Sequence, residues 1–146
     1  MNQRLLTFLA LIFVALVIMQ AVIGAVLFAQ LVGISPDEVI KYYGNKSLHG
    51  MLEVMLPHVL FISIALMASL HFLAFIDTLS KKEKTLFTQL LFTLFFMDQV
   101  SPIFISYGIV FFAYVKIVAF FGFEGVLGWV WIVIFRESLL NDTSRH

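Results

Sequence analysis

From Leu5 to Pro36 the chain carries no charged residue. Wound as an α-helix, such a run is about 48 Å long, and roughly 20 apolar residues suffice to cross a bilayer. A water-soluble domain of this size leaves too much of its surface exposed to hide it. The rest of the chain agrees: 62% of the 146 residues are hydrophobic and 12% are charged, against about 25% charged in a soluble domain. The mean hydropathy is +1.03. A secretory apolar region runs only about 7–15 residues, so Arg4 and the stretch behind it read as a retained signal anchor.

Hydropathy and breaks predict an all-α protein: one transmembrane domain over residues 1–146, a four-helix bundle with helices at about 5–32, 48–75, 85–105 and 108–136. Pro36 stops the first helix, and Ser35 or Asp37 is placed to cap a short surface helix. Tyr42 and Tyr43 suit the headgroup region. Ala21, Ala25 and Ala29, with Gly24 beside them, have the spacing that brings membrane helices close, as do Gly122, Gly125 and Gly128. Ordinary small-residue content reads equally well. The third helix is the weak point. Asp98 and Ser101-Pro102 interrupt it, so 99–107 is expected to finish that helix or to form a re-entrant or broken segment.

Lys and Arg set the orientation. Arg4, Lys81, Lys82, Lys84, Arg136 and Arg145 fall on one side of a four-span chain; Lys41, Lys46 and Lys116 fall on the other. The richer side is expected in the cytoplasm, giving N-in and C-in topology in a bacterial inner membrane. Zero net charge gives no footprint for nucleic acid. The absence of cysteine excludes disulfides, iron–sulfur clusters and c-type haem attachment. No nucleophile elbow, P-loop or zincin motif is present, so an enzyme working on its own is not expected.

Ionisable residues inside spans cost about 2.5–3.5 kcal/mol on insertion scales and mark candidate sites. His49, Glu53, His58, Asp98 and Lys116 share a similar depth toward the outside, while His71 lies near the cytoplasmic end and Glu124 nearer the middle. His49 and Glu53 are four residues apart and share a helix face. Pro57 removes the N–H that would bond to the Glu53 carbonyl, which leaves that carbonyl free beside His58. A tolerated membrane kink is the alternative.

Three chemistries are open. His58 and His71 suit axial ligands of b-type haem, separated by about 20 Å of helix. They lie on nearly opposite faces, and helices 1, 3 and 4 hold no His, so a second ligand must come from another copy, from Met19 or Met97, or from a partner subunit. His49, Glu53, His58 and Asp98 offer mixed donors for a metal. Glu53, Asp98, Lys116 and Glu124 form a polar set able to relay protons or to sit beside a quinone. The blander readings are interhelical hydrogen bonds for each His, snorkelling for Lys116, and for Glu124 a packed pair with Lys116 or another polar group.

The pattern Glu53-x4-His58-x12-His71, followed by Asp98-x2-Ser101-Pro102, Tyr107 and Ala113-Tyr114-Val115-Lys116, resembles a small uncharacterised family of bacterial four-helix inner-membrane proteins. The resemblance covers roughly residues 42–128. Its members often have a further His two positions before the one matching His58; Leu56 stands there in this chain, which weakens any metal or haem site that needs clustered His. The resemblance implies a four-helix membrane protein and no activity.

Three functions follow as expectations. One is a redox-linked membrane subunit, holding b-haem or beside a quinone or cytochrome partner in electron transport. The second is a structural or accessory subunit of a larger membrane complex, or a homo-oligomer. The third is a metal or proton transport element.

Overall fold

The structure is a computed structural model that describes residues 3–143, with side chains described for 8–9 and 11–137. Of the basic residues that set the orientation, the Arg4 side chain and Arg145 lie outside this range. The helices are α1 (Gln3–Leu27), which continues as a π-helical turn over Phe28–Val32, then α2 (Pro36–Gly44), α3 (Leu48–Ala74), α4 (Lys81–Ser106) and α5 (Phe111–Thr143). Four stretches are long and apolar enough to cross a membrane: Leu11–Val32, Leu48–Ala74, Lys81–Ser106 and Phe111–Glu137. The protein is an all-α, multi-pass membrane bundle.

Local chemistry sets the ends. Ser35 caps α2, its side chain accepting from the Glu38 N–H while Glu38 takes the Ser35 N–H. Pro36 follows at the first turn, where its missing N–H costs nothing. The same reciprocal box, Ser80 with Glu83, starts α4 at Lys81, four residues before the position expected from hydropathy. The lysines that read as loop are therefore the first turn of a spanning helix. Gly33 closes the π turn, donating its N–H to the Phe28 carbonyl at 2.9 Å. Its φ of +91° and the Glu38 side chain packed against it leave no room for a Cβ.

Of the two readings of 99–107, the segment finishes the helix and does not form a re-entrant or broken piece. α4 runs through Pro102 to Ser106, and the chain turns only at Tyr107–Val110, with Gly108 at φ +84°. The carbonyl that Pro102 frees finds a side-chain partner, so the helix continues.

Two apolar clusters divide the bundle. Near the 75–80 loop, Val17 of α1, Leu66 and Leu73 of α3, Leu91 of α4 and Leu127, Val130 and Trp131 of α5 pack together. The Trp131 ring stacks on Phe13 and donates its N–H to Ser69 Oγ at 2.9 Å. At the opposite end, Phe28, Val32, Val39, Ile105 and Ala113 pack without any contribution from α3. Val17, Phe28 and Val32, with Ala21 and Gly24 between them, form the buried stripe of α1; Ala29 lies off it and is exposed. Of the three glycines in α5, only Gly122 meets a neighbour, with Leu94 so close that an added Cβ would stand 3.2 Å from it.

Candidate functional site

Pro102 has no N–H to offer the residue one turn back, so the carbonyl of Asp98 loses its helical donor. Lys116 supplies one. Its Nζ donates to the Asp98 carbonyl at 3.1 Å and to Asp98 Oδ1 at 2.6 Å, joining α5 to α4. Asp98 Oδ2 accepts from Gln99 Nε2 at 2.8 Å. The Asp98 and Lys116 side chains are 10% and 8% exposed, so this is a buried ion pair. Ser101, fully buried, turns its hydroxyl back to the Met97 carbonyl. Among the described residues no buried side-chain polar atom lacks a partner.

Apolar and aromatic groups close the pair off. The Phe28 and Tyr43 rings lie 5.9 and 6.0 Å from Lys116 Nζ, at the outer limit of cation–π attraction. Phe28 stacks on Phe120 at 4.3 Å. The π turn of α1 and the short α2 are thus a cover over a charged pair. Burial pushes the Tyr43 phenol well above its ordinary pKa, and the Asp98 carboxylate pushes it further. Tyr43 therefore stays neutral and adds no second charge to the site.

The other expected residues are not gathered here. His49 and Glu53 pair at 3.2 Å on α3, but their side chains are 86% and 68% exposed. His58 is exposed, with Nδ1 2.8 Å from the Val54 carbonyl. A carbonyl only accepts, so Nδ1 is the donor in this contact. His71 is exposed at the far end of α3, edge-on to Phe75. His49, Glu53, His58 and Asp98 do not converge: among the described residues no three His, Asp or Glu stand close enough to share a metal. Lys116 does not snorkel and does not pair with Glu124, because Asp98 holds it.

Glu137 was not singled out in the sequence. Its carboxylate accepts from the backbone N–H groups of Asp77 and Thr78, at 2.6 and 3.1 Å, and from the Thr78 hydroxyl. It fastens the end of the α5 span to the 75–80 loop. Lys84 Nζ adds a bond to the Ala74 carbonyl at 3.0 Å. The sequence signal for Glu137, a carboxylate at a span end, is too common to be read alone.

A family model for a transmembrane helical domain matches residues 33–145. The chain belongs to the Aq_1264_TM family. The matched region holds Tyr43, Asp98, Lys116, Glu124 and the exposed polar residues of α3; Phe28 and the rest of α1 precede it. No curated protein and no solved structure matches the chain.

Proposed function

We propose that this family member is an accessory subunit of a bacterial inner-membrane assembly, and that it self-associates through the half of α3 nearest α2. One observation carries this reading: among residues 48–60 only Met51 is buried, while His49, Glu53, Pro57 and His58 are all exposed. α3 is about 40 Å long, so a centred core of about 30 Å takes in His58 and reaches Glu53. Leaving such groups against lipid is expensive, and a protein partner removes the cost.

The occupant we favour is a second copy. Val54, Pro57 and Phe61 share one face of α3, with Glu53 along one edge and His58 along the other. A two-fold axis along the membrane normal sets the Glu53 edge of one copy against the His58 edge of the next, so the face complements itself. The same association is the arrangement in which a b-haem at His58 or His71 would find its second axial ligand.

The test is the mass of the purified full chain in nanodiscs, with cysteine cross-linking at Val54 and Phe61 in this cysteine-free protein. A dimer cross-linked at those positions, and weakened by E53Q together with H58L, supports the reading. A monomer without cross-links overturns it. The visible spectrum of the same sample decides the haem arrangement, since a Soret band absent before and after haem addition removes it.

A further inference from the structure

Glu124 is an ionisable group that neither the ion pair nor the α3 face uses. It stands at the middle of the spanning part of α5, thirteen residues from Phe111 and thirteen from Glu137, about 20 Å from either end. It is partly buried, and its Oε1 lies against Gly24, where a Cβ would come within 3.9 Å. Gly24 is itself near the middle of the α1 span, Leu11–Val32. The carboxyl group thus lies in the α1–α5 interface, in the small space that a glycine leaves.

Among the described residues its surroundings offer no free counter-charge. The described α1 side chains from 11 to 32 include none that ionise, and the polar one nearest in sequence to Gly24 is Gln20. On α4 the charged group that acts on Glu124 is Asp98, a carboxylate of the same sign. On α5, Lys116 lies two turns away, about 12 Å along the axis, and is committed to Asp98. From α2 the titratable groups over this end are Tyr42 and Tyr43. From α3 the polar residue bonded to α5 is Ser69, held by Trp131, and the others packed there, Leu66 and Leu73, are apolar. Among the described residues Glu124 makes no hydrogen bond or ion pair.

An unpaired carboxylate in an apolar medium relieves its desolvation cost by taking a proton. We propose that Glu124 is a proton-binding site, a carboxylic acid at mid-bilayer that takes up and releases a proton at the α1–α5 contact opposite Gly24. This goes beyond the assembly reading and does not rest on it. The Asp98–Lys116 pair holds Lys116, so that among the described residues this lysine of the same helix does not neutralise the carboxylate.

A hydrophobic carbodiimide tests this, because it reacts with protonated carboxyl groups inside lipid. The acid gives its proton to a carbodiimide nitrogen, its oxygen bonds the central carbon, and an O-to-N acyl shift leaves a stable N-acylurea. The full chain in nanodiscs is treated and the adduct mapped by mass spectrometry. The expected result is one adduct at Glu124, declining as pH is raised, with Asp98 unmodified. An unmodified Glu124 at acid pH overturns the proposal, as does labelling that pH does not change. The mapping uses the unaltered sequence, so it does not depend on a variant folding. Infrared spectra give the second readout: the protonated-acid carbonyl band must shift in deuterium oxide and vanish in E124Q, and its persistence in E124Q assigns the acid elsewhere.

Discussion

Lys116 binds Asp98 twice, at the side chain and at the main chain, and the main-chain contact exists because Pro102 has vacated it. Each partner alone is a buried charge. Removing one of a buried pair typically costs about 3–5 kcal/mol, whereas replacing both by apolar residues of similar volume is often neutral. K116M and D98L are therefore each expected to destabilise the bundle by several kcal/mol. The double variant should recover most of the loss, measured by unfolding in mixed detergent micelles. Two single losses that simply add would show that the residues act independently.

Glu137 is a second anchor of a different kind. One carboxylate accepts from two backbone N–H groups and a hydroxyl at the 75–80 turn. Hydrogen bonds to a charged acceptor contribute about 1.5–3 kcal/mol. E137Q keeps the shape and removes the charge, so it should cost about 1–2 kcal/mol. The loss should be local. Amide exchange at Asp77 and Thr78 is expected to accelerate while the Trp131 region stays protected, and uniform acceleration would contradict this.

Glu38 gives the pH dependence. Hydrogen bonds from the Ser35 hydroxyl and the Ser35 and Ile34 backbone hold its carboxyl below the ordinary value. A group whose folded pKa lies below its unfolded pKa adds stability above the unfolded value and loses it as pH falls through the folded one. The cap of α2 should thus hold at neutral pH and release in acid. The amide resonances of Ile34 and Ser35 should titrate together, with a midpoint below the usual carboxylate range. In E38Q that titration should be absent.

The sequence made the spans legible because hydropathy over about 20 residues is a strong, local signal. It also made the polar candidates legible, since a charge inside such a run stands out. Which of them meet is a tertiary fact. Asp98, Lys116 and Glu53 all carry the same cost in sequence, yet only the first two are turned inward. The proline argument transfers in the same way. Applied to Pro57 it points to the Glu53 carbonyl, and applied to Pro102 it points to Asp98; only at Asp98 does a cation from the next helix complete it. α4 starts four residues before hydropathy places it, for a simpler reason. Lys81, Lys82 and Lys84 look like loop by hydropathy, but the Ser80–Glu83 box outweighs that signal. The cover formed by Phe28 and Tyr43 depends on the π turn, which has no sequence signature here.

Pro102 itself provides the sharpest test of how the site is built. Alanine at this position restores an N–H aimed at the Asp98 carbonyl, where Lys116 Nζ now donates at 3.1 Å. The helix gains its own bond and Lys116 loses one of two. The contact to Oδ1 at 2.6 Å is untouched. P102A should then be close to neutral in stability, because one hydrogen bond of about 1 kcal/mol replaces another. The consequence appears in combination. With the carbonyl already satisfied, K116M leaves one fewer orphaned acceptor in the P102A background. It should cost about 1 kcal/mol less there than in the unaltered chain, a coupling that a double-mutant cycle resolves. Zero coupling would mean that the lysine binds the carboxylate alone and that the proline has no part in holding it.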